Sequence, residues 1–411
     1  MICLVARFVC RKSAHSTRAS AIRSLEITHC DRTAWSVVDG ERQLMIELAE
    51  SKLFTPWTNP DTGVTVYLLT QKVAPVQQAF YFVNDGMSRD GRYLWFYCAF
   101  PPSGSKTLGV IDFDRQQVRH FPEAQFSGGS PFVDPDSGIV YWCIRESIWC
   151  RGPGPSDTAQ QVNSLPEDVV RNRTVYRLAT HLTRSADGRE FFIDAALGLQ
   201  WVFGTLPTDG SDFRMWQRFD RNYNHAQFSP TDVDLVLFAQ ENHLDPITGL
   251  RIGIKDRMWL IRRGERARPV FASPTRVTHE WWDPDGEHVW CVWGNEAWRV
   301  NIASQRVETI QWPSHCWHAH SSKTGLYIVA DSNEKFYRGC PSTVGFLNRY
   351  TGKHIQLVSN PEMPGITGSH YHIDPHPRFC CSDQFVVFTT TVRGEVDLAI
   401  ASTADLIERI S

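Results

Sequence analysis

Nowhere in its 411 residues does the chain carry 18 or more consecutive apolar residues, which excludes a transmembrane helix. Nor does it carry a surplus of charge. Its 42 Lys and Arg stand against 45 Asp and Glu, a formal net charge of -3, so no surface is set aside for nucleic acid or an anionic membrane. It lacks any C-x-x-C spacing, and its 11 cysteines are an odd number, so neither a zinc ribbon nor a full disulfide framework fits. Cys98, Cys143 and Cys291 lie instead inside aromatic runs, the setting of reduced core thiols, and reduced thiols point to the cytoplasm. There is no G-x-S-x-G, which disfavours a serine hydrolase. Long helical periodicity is missing from residues 54–411. At the start, Met1 to Cys10 is apolar but broken by Arg7, and basic residues follow where a signal peptide would be cleaved. Residues 1–53 are therefore set aside as an N-terminal extension without repeat or motif, with a short helix expected over Glu41 to Leu53.

What the chain does have is aromatic side chains, 15 Trp, 23 Phe and 11 Tyr, in β-branched runs broken by 27 Gly and 23 Pro. That is an all-β composition. A turn recurs along it: Ser88-Arg-Asp-Gly, Asp134-Pro-Asp-Ser-Gly, Ser185-Ala-Asp-Gly, Ser229-Pro-Thr-Asp, Asp283-Pro-Asp-Gly, Ser322-Lys-Thr-Gly and a degenerate Cys380-Cys-Ser-Asp. Behind each comes a strand-like run such as Tyr93-Leu-Trp-Phe-Tyr-Cys or Leu235-Val-Leu-Phe, and usually a third run such as Met258-Trp-Leu-Ile. An Asp-Gly turn between two such runs is a hairpin signal. Seven repeats spaced 39 to 58 residues apart, each with room for four short strands, predict a seven-bladed β-propeller over residues 54–411.

Four residues before each turn stand Asn84, Ser130, His181, His225, His279, His318 and His376. In a propeller these positions lie beside the central channel. Five of the seven are histidine in a chain with only 15, so an axial active or metal site is expected. The densest cluster is His370-Tyr-His372-Ile-Asp374-Pro-His376. Asp374 and His376 are two apart, hence on one face of an extended strand. With His318 they offer two imidazoles and a carboxylate, a set suited to manganese, nickel or iron more than to zinc, or else a hydrogen-bonded cluster with no metal. His279 carries no such dense neighbours and reads as a lone imidazole able to act as general base. Arg257, in Asp256-Arg-Met-Trp after the insertion Glu241 to Lys255, reads either as a surface ion pair or as a bidentate clamp for a carboxylate. Trp281, Trp282 and Trp317 stand beside axial positions, as sugar platforms or as blade core.

Asn224-His-Ala-Gln-Phe-Ser-Pro-Thr-Asp, Asp256-Arg-Met-Trp, Thr278-His-Glu-Trp-Trp-Asp-Pro-Asp-Gly, His318 with its Ser-Ser, and Asp374-Pro-His-Pro-Arg-Phe occur in order at matching blade positions. In these motifs the chain resembles the oligogalacturonate lyases (polysaccharide lyase family 22), from about Phe54 to the C-terminus. The resemblance implies His279 as catalytic base, Arg257 as the active-site arginine, and a divalent metal, Mn2+, on His318 and His376. It departs from the family's Gln-x-x-His-Pro-His segment: Asp374 replaces the first histidine and Tyr371 the glutamine, leaving His370 or His372 to complete the set. A His-Arg pair expected near the first blade is also absent, Val76-Gln-Gln-Ala standing there. Both departures bear on the substrate rather than the reaction class.

The expectation is therefore metal-assisted β-elimination from a uronic acid-containing oligosaccharide, in the cytoplasm. His279 and Arg257 would be catalytic; His318, Asp374, His376 and His372 would hold the metal; His225, His181, Trp281 and Trp317 would contact the sugar. Two other readings stay open: a lyase for another uronate, glucuronate-containing or of rhamnogalacturonan type, and a non-catalytic propeller that binds a glycan or protein.

Overall fold

A computed structural model describes residues 46–245, 247–332, 341–361 and 371–411, and the backbone pairing of 35–38 with 41–44. The apolar start Met1 to Cys10 and His370 lie outside the described residues. Every recurring turn closes a hairpin, and the strands assemble into seven antiparallel sheets arranged as a propeller. Blade one, for example, is Val76–Gln78, Tyr93–Ala99, Lys106–Asp112 and Gln117–Phe126, paired in that order. Blade five is Thr278–Trp282, His288–Trp293, Glu296–Asn301 and Val307–Gln311. Blade four takes Tyr223–Phe228, Leu235–Gln240, Met258–Arg262 and Arg268–Pro269, with the small hairpin His243–Leu244/Arg251–Ile252 inserted after its second strand.

The ring is closed by strands from both ends of the chain. Blade seven joins Arg378–Cys380, Phe385–Thr390 and Asp397–Ser402 to Thr65–Leu69 and Phe54–Thr58 in one sheet. The helix Thr403–Ile410, whose N-terminus is capped by the Ser402 hydroxyl, buries Leu406 and Ile410 against blades six and seven. The expected helix over Glu41 to Leu53 does not form. Glu41–Leu44 is a strand paired with Trp35–Val38, as the intervening Asp39-Gly40 favours, and Leu48 and Leu53 bury against blades seven and one.

Apolar side chains fill the wedges between neighbouring blades. Trp95, Leu108, Val140 and Trp142 fill the space between blades one and two, and Phe192, Phe203, Val236 and Phe238 that between three and four. Each fully buried Phe or Val there contributes about 1.5–3 kcal/mol. Cys98, Cys143, Cys150, Cys291, Cys316 and Cys380 are free thiols, and Cys98, Cys291, Cys316, Cys380 and Cys381 are buried in this packing. The axis is lined by histidines and charged residues, with the rings of Tyr81 and Phe82 among them, and there the site lies.

Candidate active site

Two histidines reach the channel through the same backbone device. In the first strand of blade four the register shifts between Asn224 and Gln227, so His225 and Ala226 face one partner residue; in blade five the same shift leaves His279 and Glu280 opposite one. Such a bulge re-aims a side chain out of the sheet. The cost is visible in the backbone, with φ of 56° at His225 and 51° at His279, a left-handed region where glycine is the easy occupant. His372 (52°) and His376 (47°), in the segment leading into blade seven, share it. Four strained histidines around one axis, each costing on the order of 1–3 kcal/mol, mark a site held in place by its surroundings.

On the blade six and seven side, His318, His372, Asp374 and His376 place their ligating atoms within 4.8 Å of one another. A buried carboxylate, Asp331, organises them. It accepts from the backbone N–H of His318 (2.8 Å) and of His376 (3.1 Å), and lies 3.0 Å from His318 Nδ1. With Nδ1–H donated to Asp331, His318 presents Nε2 as a lone pair, the arrangement that orients imidazole ligands towards metals. The Nε2 atoms of His318 and His376 are buried and have no hydrogen-bond partner. Two imidazole nitrogens left bare beside a carboxylate, with His372 Nε2 3.1 Å from Asp374 Oδ2, fit a divalent cation.

His279 is not as remote from this cluster as its lone position in the sequence implied. Its ring centroid is 4.2 Å from that of His318 and 4.5 Å from Trp317, because consecutive blades converge on the axis. Nδ1 of His279 is buried without a partner, leaving Nε2 as the nitrogen open to the cavity. Burial first, then the neighbouring His318 and Arg257, push its pKa well below the ordinary histidine value, so the ring is neutral.

Across the axis, Arg257 is buried and closed in by acids. Its Nε donates to Glu280 Oε2 (3.1 Å), its Nη1 pairs with Glu241, and its Nη2 lies 3.2 Å from His225 Nδ1. His225 Nδ1 is also 3.2 Å from Glu280 Oε1, so this nitrogen accepts from Arg257 in one tautomer and donates to Glu280 in the other. Burial alone would raise Glu280, but Arg257 holds it down at about 2. Glu280 and Glu241 in turn more than offset the effect of burial on Arg257 and keep it charged.

These two walls enclose a cavity of about 580 Å³ lined by His181, His225, Arg257, His279, His372 and His376, among others. Its floor is an insertion that sequence reading missed. In blade one Gln78 pairs with Tyr97 and Met87 with Leu94, so Ala79 to Gly86 stands where blades four and five have two bulged residues. This enlarged bulge drives Tyr81 and Phe82 into the channel. The Tyr81 ring stacks on His181 (4.6 Å) and touches the rings of His225, His318, His372 and His376. Burial keeps its hydroxyl protonated. Asn84, counted from sequence as the axial equivalent, lies behind this plug and donates to Leu182 O (3.0 Å) instead of facing the cavity.

Of the two tryptophans assigned to sugar contact, Trp317 lines the cavity and Trp281 does not. Trp281 is buried in the blade core, stacked on Trp290 with centroids 5.7 Å apart and bonded to Ser321, so it has no face to offer. Glu280, Glu241 and Asp331 were also missed. Glu280 carried a sequence signal in its place beside the axial His279, inside the strand Thr278–Trp282.

Fold and site thus define a seven-bladed propeller with a polar axial cavity and a His/Asp cluster fit for a metal. No family model matches the chain. Over 207 residues it is 27% identical to the oligogalacturonate lyase of Dickeya dadantii (strain 3937), a stretch covering 44% of this chain and 50% of that protein. The match therefore spans half the length of that relative. In fold the chain is similar to an oligogalacturonate lyase solved in complex with manganese, with a TM-score of 0.69 and 18% identity over 85% of this chain and 96% of the other. An oligogalacturonate lyase from Vibrio parahaemolyticus gives 0.68, 18%, 85% and 96%. At that identity the structural likeness establishes the propeller; the likeness to oligogalacturonate lyases in sequence rests on the half-length match.

Proposed function

We propose that this protein is a lyase that cleaves uronic acid-containing oligosaccharides by β-elimination, leaving a 4,5-unsaturated uronate. The observation that carries the reading is the convergence, around one cavity, of a neutral histidine open through Nε2, a fixed arginine and a His/Asp cluster. A divalent ion held by His318, His372, Asp374 and His376, manganese by analogy with the similar lyase, would draw charge from the uronate carboxylate and so acidify the C5 proton.

His279 takes that proton on Nε2. Its neutrality makes the nitrogen available at working pH, and a positioned base contributes about 10²–10⁴-fold. The C5–H electron pair becomes the C4–C5 double bond as the C4–O bond breaks, and the departing oxygen takes up a proton. Arg257 stabilises the charge growing on the carboxylate through N–H groups rather than net charge, because Glu241 and Glu280 flank it. His225, held between Arg257 and Glu280, faces the sugar hydroxyls; His181 and Trp317 supply the remaining walls.

The free cysteines suit a reducing compartment, in keeping with a cytoplasmic role in the breakdown of pectin-derived oligouronides. Among the described residues no helix is long and apolar enough to cross a membrane. A uronate other than galacturonate is the second reading, favoured by the aspartate at position 374 and by the plug in blade one. The test is a panel of oligogalacturonate, glucuronate-containing and rhamnogalacturonan fragments incubated with the protein and manganese, followed by the ultraviolet absorbance of the unsaturated product. Product from one or more is expected; a flat trace from all would remove the reading.

A further inference from the structure

The arginine wall leaves a problem of charge. An acidic sugar entering the cavity meets Arg257, but that cation is already flanked by Glu241 and Glu280, so the triad as a whole is negative. The opposite wall, from blades one and two, holds a cation of the other kind. Lys106 opens the third strand of blade one and lines the same cavity. Its Nζ sits over the Tyr97 ring, 4.4 Å from the centroid, and the Tyr97 hydroxyl is tied to Ser130 Oγ at 2.9 Å. No ion pair or hydrogen bond joins the Lys106 side chain to any described carboxylate.

Lys106 is half-buried, its ammonium against an aromatic face with no carboxylate partner among the described residues. That partial burial lowers its pKa to about 8. The neighbouring wall is open: Gly128 lines the cavity, and a Cβ added to it would meet nothing within 4 Å.

We infer that Lys106 is the uronate-recognition residue of this cavity, receiving a sugar carboxylate in a subsite formed with Tyr97, Ser130 and Gly128 on the wall facing Arg257. The inference rests on the uronate lyase reading and deepens it. Lys106 acts in binding and discrimination; the proton transfer stays with His279.

The test uses the full chain with de-esterified oligogalacturonate as probe, and equilibrium binding of galacturonate against galactose as a second readout. Lys106→Gln should raise KM about 10- to 100-fold, the loss of one charge-assisted hydrogen bond, with kcat changed far less. Lys106→Arg should retain most of the affinity, and both Lys106→Gln and Lys106→Met should narrow the preference for galacturonate over galactose by about the same 10- to 100-fold. Melting temperatures at the wild-type value show that the variants are folded. If Lys106→Gln and Lys106→Met keep the wild-type KM and preference for galacturonate, the inference is wrong while the lyase reading stands. If the wild-type protein neither binds nor cleaves any uronate, both fall.

Discussion

The two walls of the cavity differ in what they leave unfinished. On the blade four and five wall the charges are paired: Arg257 meets Glu280 and Glu241 with His225 beside them, although Glu280 Oε1 is buried without a hydrogen bond. On the blade six and seven wall, Asp331 fixes the backbone and ring of His318 and the backbone of His376, yet the Nε2 atoms of both imidazoles are buried with nothing to bond. A closed network positions; an open one binds. His279 stands where the two meet, packed on His318 and influenced by Arg257.

Removing the residue at the junction should have the largest effect. His279→Ala is expected to lower turnover by at least the 10²–10⁴-fold of a general base, read from unsaturated product, with the fold retained. Activity above about a tenth of wild type would remove His279 from the base role. Because its ring lies against His318, ion content is measured on the same sample and should be unchanged.

Breaking the closed wall should damage stability as well as rate. Glu280→Gln leaves Arg257 buried with one of its two carboxylates gone, and the expected loss is about 3–5 kcal/mol by denaturant unfolding. The pH dependence has a fixed sign. Glu280 is held at about 2, below its unfolded value near 4.3, so its contribution is complete above that value and is lost as pH falls through about 2. The Gln variant should lack that part of the acid transition. Arg257→Lys keeps a charge but not the three directed contacts, and kcat/KM should fall while melting changes less than in Glu280→Gln. A lysine that works as well as the arginine would contradict the positioning role of this wall.

How far the sequence reached follows the same division. The propeller was legible because Asp-Gly turns and aromatic runs repeat, and the repeat carried the register that picked out His225, His279, His318 and His376. It failed at blade one, where eight residues stand in for a two-residue bulge and the register slips, so Asn84 was counted in place of Tyr81. It failed for Trp281 because strand alternation would put it on the face of His279, two residues back, whereas the bulge at His279 and Glu280 turns the tryptophan into the core. Asp331, Glu241 and Lys106 were invisible for a simpler reason. Each comes from a second or third strand or an insertion, and only ring closure carries it to the axis.

The most direct test of the contrast between the walls is manganese stoichiometry, measured on chelator-stripped and reloaded protein for the wild type, Asp374→Ala and Glu280→Gln. The account predicts one equivalent in the wild type and in Glu280→Gln, none in Asp374→Ala, and a manganese-dependent rise in melting temperature only where the ion binds. Full occupancy in Asp374→Ala, or none in the wild type, would contradict it.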